Sequence, residues 1–214
     1  MTVTLNALIK QSGLITSSVS ALLALSRLFA AGGEQMSHTL PELVKSTQNL
    51  GLKLPQMRQT GQDLAAYSQV KPLELRQMCF EFNRLFVGPT SPIAPPYESV
   101  YLSPERLVMQ EHTLEVRQMY QAENLMATSQ GTAPDDFIAT ELEFAAYLLN
   151  CVSRESSRGN SSNAVKYLDL YNEFMQKHPQ RWLKLFAASV LENARHPVFP
   201  LIMQVLLGTI ELAF

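Results

Sequence analysis

Glu141 is the residue of this chain whose setting most suggests unusual chemistry. It falls between Phe137 and Phe144 on an apolar helical face, where an isolated carboxylate is costly unless paired. Pairing within the fold, with Arg84 or Arg117, is the favoured reading, because buried charges are usually matched internally. The functional alternative is a carboxylate held for a cationic ligand. Asp136 and Glu141 could also serve as the paired acids of a small hydrolase, but a five-residue separation on one helix places them poorly for a shared site.

The other reactive residue types form no constellation. His38, His112, His178 and His196 are scattered, and two of them precede prolines, so they read as turn or surface residues rather than metal ligands. Cys79 and Cys151 make no CxxC and sit among apolar neighbours, as expected of buried thiols in a reducing compartment. The sequence contains no G-x-G-x-x-G, no Walker lysine loop and no G-x-S-x-G, which removes the usual phosphate cradles and the nucleophile elbow. The expectation is a binding protein, not an enzyme, with no metal and no cofactor. Seventeen basic against 19 acidic residues, a net charge of -2, leave no basic footprint for nucleic acid.

The elements that must position these residues are helical. Leu75, Met78, Cys79, Phe82, Leu85 and Phe86 step by three and four, predicting a helix over 71–87 closed by Gly88-Pro89. Ile138, Leu142, Ala145, Leu149 and Val152 predict a second over 134–153. Thr132 and Asp135 have capping-box spacing ahead of it, and Asp135 and Asp136 read as helix-capping acids. Further helices are expected over 112–124, 162–177, 179–194 and 197–213, with a serine-rich flexible loop over 153–163. Ile15, Val19, Leu22, Leu25 and Phe29 fit an amphipathic core helix rather than a signal peptide, since Arg27 and three serines interrupt the run. No uninterrupted apolar stretch reaches the roughly 20 residues of a membrane helix, so a soluble protein retained inside the cell is expected. The fold class is all-α, a single domain over 1–214.

Between the two best helices, 88–101 reads Gly-Pro-Thr-Ser-Pro-Ile-Ala-Pro-Pro-Tyr-Glu-Ser-Val-Tyr. Four prolines leave this segment few unfolded states to lose, so it can be rigid without regular structure. A structural connector and a binding surface remain equal readings on these grounds, with Tyr97 and Tyr101 leaning toward binding.

The stretch Phe82-Asn83-Arg84-Leu85-Phe86-Val87-Gly88-Pro89, continued by Pro95-Pro96-Tyr97-Glu98-Ser99-Val100-Tyr101-Leu102, closely resembles the central motif of the TorD/DmsD/NarJ chaperones of redox enzymes. Pro134-Asp135-Asp136-Phe137 leading into Glu141, and His196-Pro197-Val198-Phe199, agree in family order. The resemblance implies the all-α bundle of these chaperones. It also implies a cytoplasmic protein that binds the twin-arginine signal peptide of a molybdopterin-containing oxidoreductase of the DMSO or TMAO reductase class, assists cofactor insertion and delays export. The implied partners are that signal peptide, the apo-enzyme and the Tat export machinery, with no stable membrane insertion. The alternatives are an accessory chaperone of a zinc-dependent hydrolase and a helical structural subunit.

By resemblance, the peptide site comprises Phe82, Leu85, Phe86, Gly88, Pro89, Pro96, Tyr97, Glu98, Tyr101, Pro134, Asp136 and Phe137, with Glu98 and Glu105 adding negative charge at one end of an apolar groove. The sequence departs from the family pattern at Phe137, where histidine is frequent, and at Phe82 and Thr90, where tryptophan is frequent. Both changes alter groove area and proton-dependent contacts, and so bear on which leader is accepted.

Overall fold

The chain begins with a long helix because Leu8, Ile15, Leu22, Leu25 and Phe29 return to one face at helical spacing, and all five are buried. The structure is a computed structural model that describes residues 5–69, 71–88, 91–127, 133–212 and 214. Helix α1 (Leu5–Ala31) tolerates its serines because Ser17, Ser18 and Ser20 donate their hydroxyls to the carbonyl four residues back. By length and composition, Asn6–Ala31 could cross a membrane, but half of its most apolar window is buried inside this fold.

Gly32 and Gly33 then turn the chain into α2 (Met36–Gly51) and α3 (Pro55–Ala65). Gly33 has no room for a side chain, since a Cβ there would stand 2.9 Å from the Cys79 carbonyl oxygen. Helix α4 (Pro72–Phe82) continues into a wider π-helical turn over Asn83–Val87, closed by Gly88 N–H donating to the Asn83 carbonyl at 2.6 Å. The helix expected over 71–87 is therefore present but changes pitch in its last turn.

Within the proline-rich segment the structure places a short helix, α5 (Glu98–Leu102), followed by α6 (Glu111–Ala122). Helix α7 (Ile138–Ser157) begins and ends later than its expected 134–153. The serine-rich stretch after Ser153 is partly its last turn. Gly159, at φ 73°, then reverses the chain into α8 (Ser161–Lys177), capped by Asn160 Oδ1 accepting from the Asn163 N–H. Helices α9 (Pro179–Asn193) and α10 (Val198–Ile210) complete the chain.

The capping reading of the two aspartates is corrected. Thr132 lies outside the described residues, and Asp135 and Asp136 precede α7, with side chains bonded to α5 and α6 instead. A carboxylate gains more from a guanidinium or from several donors than from one exposed helix end.

Helices α1 and α7 pack along most of their length, with α8 on α7, α2 on α1, and α3, α9 and α10 around one end. One apolar cluster extends from Leu8 to Ile210. Each fully buried leucine or phenylalanine in it contributes about 2 kcal/mol of transfer free energy. Phe29, Phe82, Phe86, Phe186 and Phe199 form an aromatic node joining α1, α4, α9 and α10, with ring centroids 4.9–6.5 Å apart. Among the described residues there is no β-strand, only an isolated antiparallel bridge between Tyr97 and Phe137.

Candidate functional site

That bridge forms because proline leaves the 92–96 segment extended. Glu98 N–H donates to the Asp136 carbonyl at 3.1 Å, and Ile138 N–H donates to the Pro96 carbonyl at 3.0 Å. The two loops thus fused become one wall of a cleft of about 940 Å³. Phe29, Phe82 and Phe86 lie at its base, Pro92, Ile93, Pro95, Pro96, Tyr97 and Phe137 along one side, and Val100, Tyr101 and the Arg106–Val108 loop at one end. Helix α9 closes the remaining side with Leu185, Ala188, Ser189 and Glu192.

The rim is unusually apolar for exposed surface. Val87 is 58% exposed, Leu107 59%, Val108 41% and Leu185 51%. Large apolar side chains gathered around a concavity mark an interaction site, whereas the same residues scattered singly would need no explanation.

Behind the wall lies a layer of buried polar groups. Asp136 Oδ2 accepts from the Ser99 backbone N–H at 2.8 Å and its hydroxyl at 2.6 Å, while Oδ1 accepts from the Thr113 hydroxyl at 2.8 Å. The Ser99 N–H is one of the orphan donors of the first turn of α5, so Asp136 caps that helix from another segment. Asp135 pairs with Arg117 at 2.5 Å. Glu98 is fully buried, its carboxylate 2.9 Å from His178 Nδ1. His178 thus stands at the turn between α8 and α9, as expected, but is interior rather than on the surface.

Glu141 pairs with neither expected arginine: Arg84 is bound to Glu81 and Arg117 to Asp135. Its Oε2 accepts from the Trp182 indole N–H at 2.9 Å, and its Oε1 meets no donor. Complete burial, reinforced by the neighbouring Glu98 carboxylate, holds the Glu141 carboxyl well above the usual carboxylate range. A proton on Glu141 removes both the repulsion and the missing donor. Trp182 in turn stacks on Tyr101, 5.5 Å between centroids and 29° between planes, so the polar layer reaches the cleft surface through one ring.

Of the residues singled out in the sequence, Phe82, Phe86, Pro96, Tyr97, Tyr101 and Phe137 line the cleft. Leu85, Glu98, Pro134 and Asp136 are buried and not among its lining residues. Gly88, at φ 66°, turns the chain beside it, and Pro89 and Thr90 lie outside the described residues. The negative charge expected at one end of the groove does not come from Glu98, which is internal, nor from Glu105, which is exposed but not part of the lining.

Sequence reasoning missed Arg106, Leu107, Val108 and the α9 wall. A signal existed in α9, which carries a buried face of Trp182, Phe186 and Val190 and, offset from it, a second face including the exposed Leu185.

Comparison with known proteins was decisive for family. The profile described as nitrate reductase delta subunit matches residues 48–188, well over half of the chain. The chain belongs to that family. It is the TorD/NarJ family to which the motifs pointed. Similar relatives include a DmsD protein of Haemophilus influenzae, 35% identical over 68 residues, which is 32% of this chain and 34% of that protein. Another is the Tat proofreading chaperone DmsD of Salmonella typhimurium, 25% identical over 118 residues, or 55% of this chain and 51% of that protein. The matches therefore span about a third to a half of these relatives' length. The relatives are named as chaperones, not as enzymes. A crystal structure described as a redox enzyme maturation protein from Archaeoglobus fulgidus superposes with a TM-score of 0.56 at 18% identity, covering 92% of this chain and 94% of that one, and shows the fold of this TorD/NarJ family member to be shared.

Proposed function

We propose that this chain is a cytoplasmic redox-enzyme maturation chaperone whose cleft binds the twin-arginine signal peptide of a molybdopterin-containing oxidoreductase of the DMSO or TMAO reductase class. By holding the leader it delays export while the apo-enzyme receives its cofactor, and it hands the complex to the Tat machinery afterwards. The observation that carries this reading is the apolar cleft of about 940 Å³, built from the family-motif residues Phe82, Phe86, Pro96, Tyr97, Tyr101 and Phe137.

The size suits one turn or more of an apolar helix, and a groove lined by aromatic and aliphatic side chains is how such segments are held. The prolines of this wall restrict its conformations, which lowers the entropy cost of association. The chain acts in this reading as one folded unit over 1–214.

Calorimetric titration with synthetic leaders of candidate reductases, beside a leader with scrambled arginine pair and apolar core, tests the proposal. Phe86 and Asp136 are poor probes because both are buried. Leu107→Ser and Leu185→Ser, at exposed rim positions, should weaken binding about tenfold together by removing roughly 1–2 kcal/mol of apolar contact, with the melting temperature unchanged. Equal affinity for native and scrambled leaders, or no binding to any, would sink it.

A further inference from the structure

The cleft carries a charge gradient along α9. Near the start of this helix, Trp182 and Phe186 pack on Tyr101 at 5.5 and 6.2 Å. The Tyr101 phenol is pushed up by burial and partly relieved by the nearby Arg106 guanidinium, so Arg106 belongs to this end. About two turns beyond Trp182, the Ser189 hydroxyl donates to the Ile93 carbonyl at 3.3 Å, and Glu192 follows in the last turn. At 1.5 Å per residue, Glu192 stands about 15 Å beyond Trp182 along the helix axis.

Among the described residues that line the cleft, Arg106 is the one cation and Glu192 the one carboxylate. Neither is engaged in any of the ion pairs of the described residues. Arg84, which reaches the end of α9, is bonded to Glu81 and to the Asn193 carbonyl, and the exposed Arg195 just past the helix makes none of these ion pairs. The carbonyl end of α9 adds partial negative charge next to Glu192. The two ends of one apolar groove therefore have opposite preferences.

We propose that the cleft reads the direction of its peptide: a cationic residue preceding an apolar segment seats at Glu192, and the segment runs toward Tyr101 and Arg106, antiparallel to α9. This rests on the peptide-binding reading above and adds to it the residues that set polarity. The reverse orientation would bring the peptide's cations against Arg106 and leave Glu192 facing apolar side chains. Complementary rim charges of this kind fix register and partner more than raw affinity.

The test uses the full chain and a synthetic peptide of two adjacent arginines followed by about ten apolar residues, the helical length that spans some 15 Å. A photo-crosslinker is placed before the arginines in one version and after the apolar stretch in another. The first should label residues around Ser189 to Arg195 and the second residues around Tyr101 to Val108.

Glu192→Lys should weaken the arginine peptide about tenfold, an effect that shrinks at high salt, while a peptide with glutamates in place of the arginines should regain affinity for this variant. Glu192 is exposed, so the variant should melt with the native protein. Reversed labelling, or unchanged affinity of Glu192→Lys, overturns the polarity and leaves peptide binding standing. Failure of the native chain to bind the peptide at all overturns both.

Discussion

Glu141 illustrates how a buried acid can be stabilised without a cation. The raised affinity of its carboxyl for a proton means that the folded chain binds a proton there which the unfolded chain releases near the ordinary carboxyl value of 4.5. Its contribution to stability is therefore full below that value and is lost as pH rises above it toward the folded value. Glu141→Gln keeps an acceptor for Trp182 and supplies N–H donors toward Glu98 without titrating. Urea unfolding at several pH values should show the variant gaining on the native protein as pH rises from about 5 to 8; parallel pH curves would refute it. Glu81 has the opposite sign. Its hydrogen bond with Arg84 holds its carboxyl below the usual range, so its stabilisation is present above the ordinary value and fades as pH falls through the lowered one. The sequence revealed that Glu141 lay on an apolar face. It could not reveal the partner, because Trp182 is 41 positions away and the contact exists only once α9 docks against α7.

At the scale of elements, the π-helical turn at Asn83–Val87 and its closure by Gly88 set the angle at which the proline-rich wall leaves α4. A side chain at Gly88 would require a positive φ and would bring its Cβ to 2.9 Å from the Pro92 nitrogen. Gly88→Ala should cost about 1–3 kcal/mol and loosen that wall. The expected result is a lower denaturation midpoint together with weaker leader binding; an unchanged midpoint would show that the turn relaxes freely. Hydrophobic period located α1, α4 and α7, and the breakers Arg158-Gly159-Asn160, His178-Pro179 and His196-Pro197 separated α8, α9 and α10. The period did not resolve α2, although Met36, Leu40, Leu43 and Leu50 are buried along it, because Pro41 and Gly51 interrupt the pattern. The widened turn was invisible because Leu85 and Phe86 inside it stay buried at three- and four-residue steps from Phe82, as an ordinary helix would have them.

Across the whole molecule, the cleft draws on Phe29, on the 82–108 region, on Phe137 and on α9, segments far apart in the chain. The motif half of this surface was legible because its residue types and spacing are distinctive. The α9 half was not, since Leu185 and Ala188 look like any helix surface until the packing leaves them facing a concavity. If the cleft is the ligand site, occupancy stabilises the entire fold by mass action. A leader at about 100 times its Kd should add roughly 2.7 kcal/mol, read as a melting temperature several degrees higher than with the scrambled leader. No shift at saturating leader would mean that binding, if present, occurs equally in the unfolded chain.

Trp182 is the only tryptophan in the chain. It is fully buried, with Tyr101 against one side of its indole and the Glu141 carboxyl at its nitrogen. The protein thus has a built-in optical probe one ring deep behind the cleft. Excited at the red edge of its absorption, it should emit at short wavelength, as a dry indole does, and any occupant that displaces the Tyr101 ring should change its intensity without a label. The same emission followed against pH should report the Glu141 proton, giving one signal for both events.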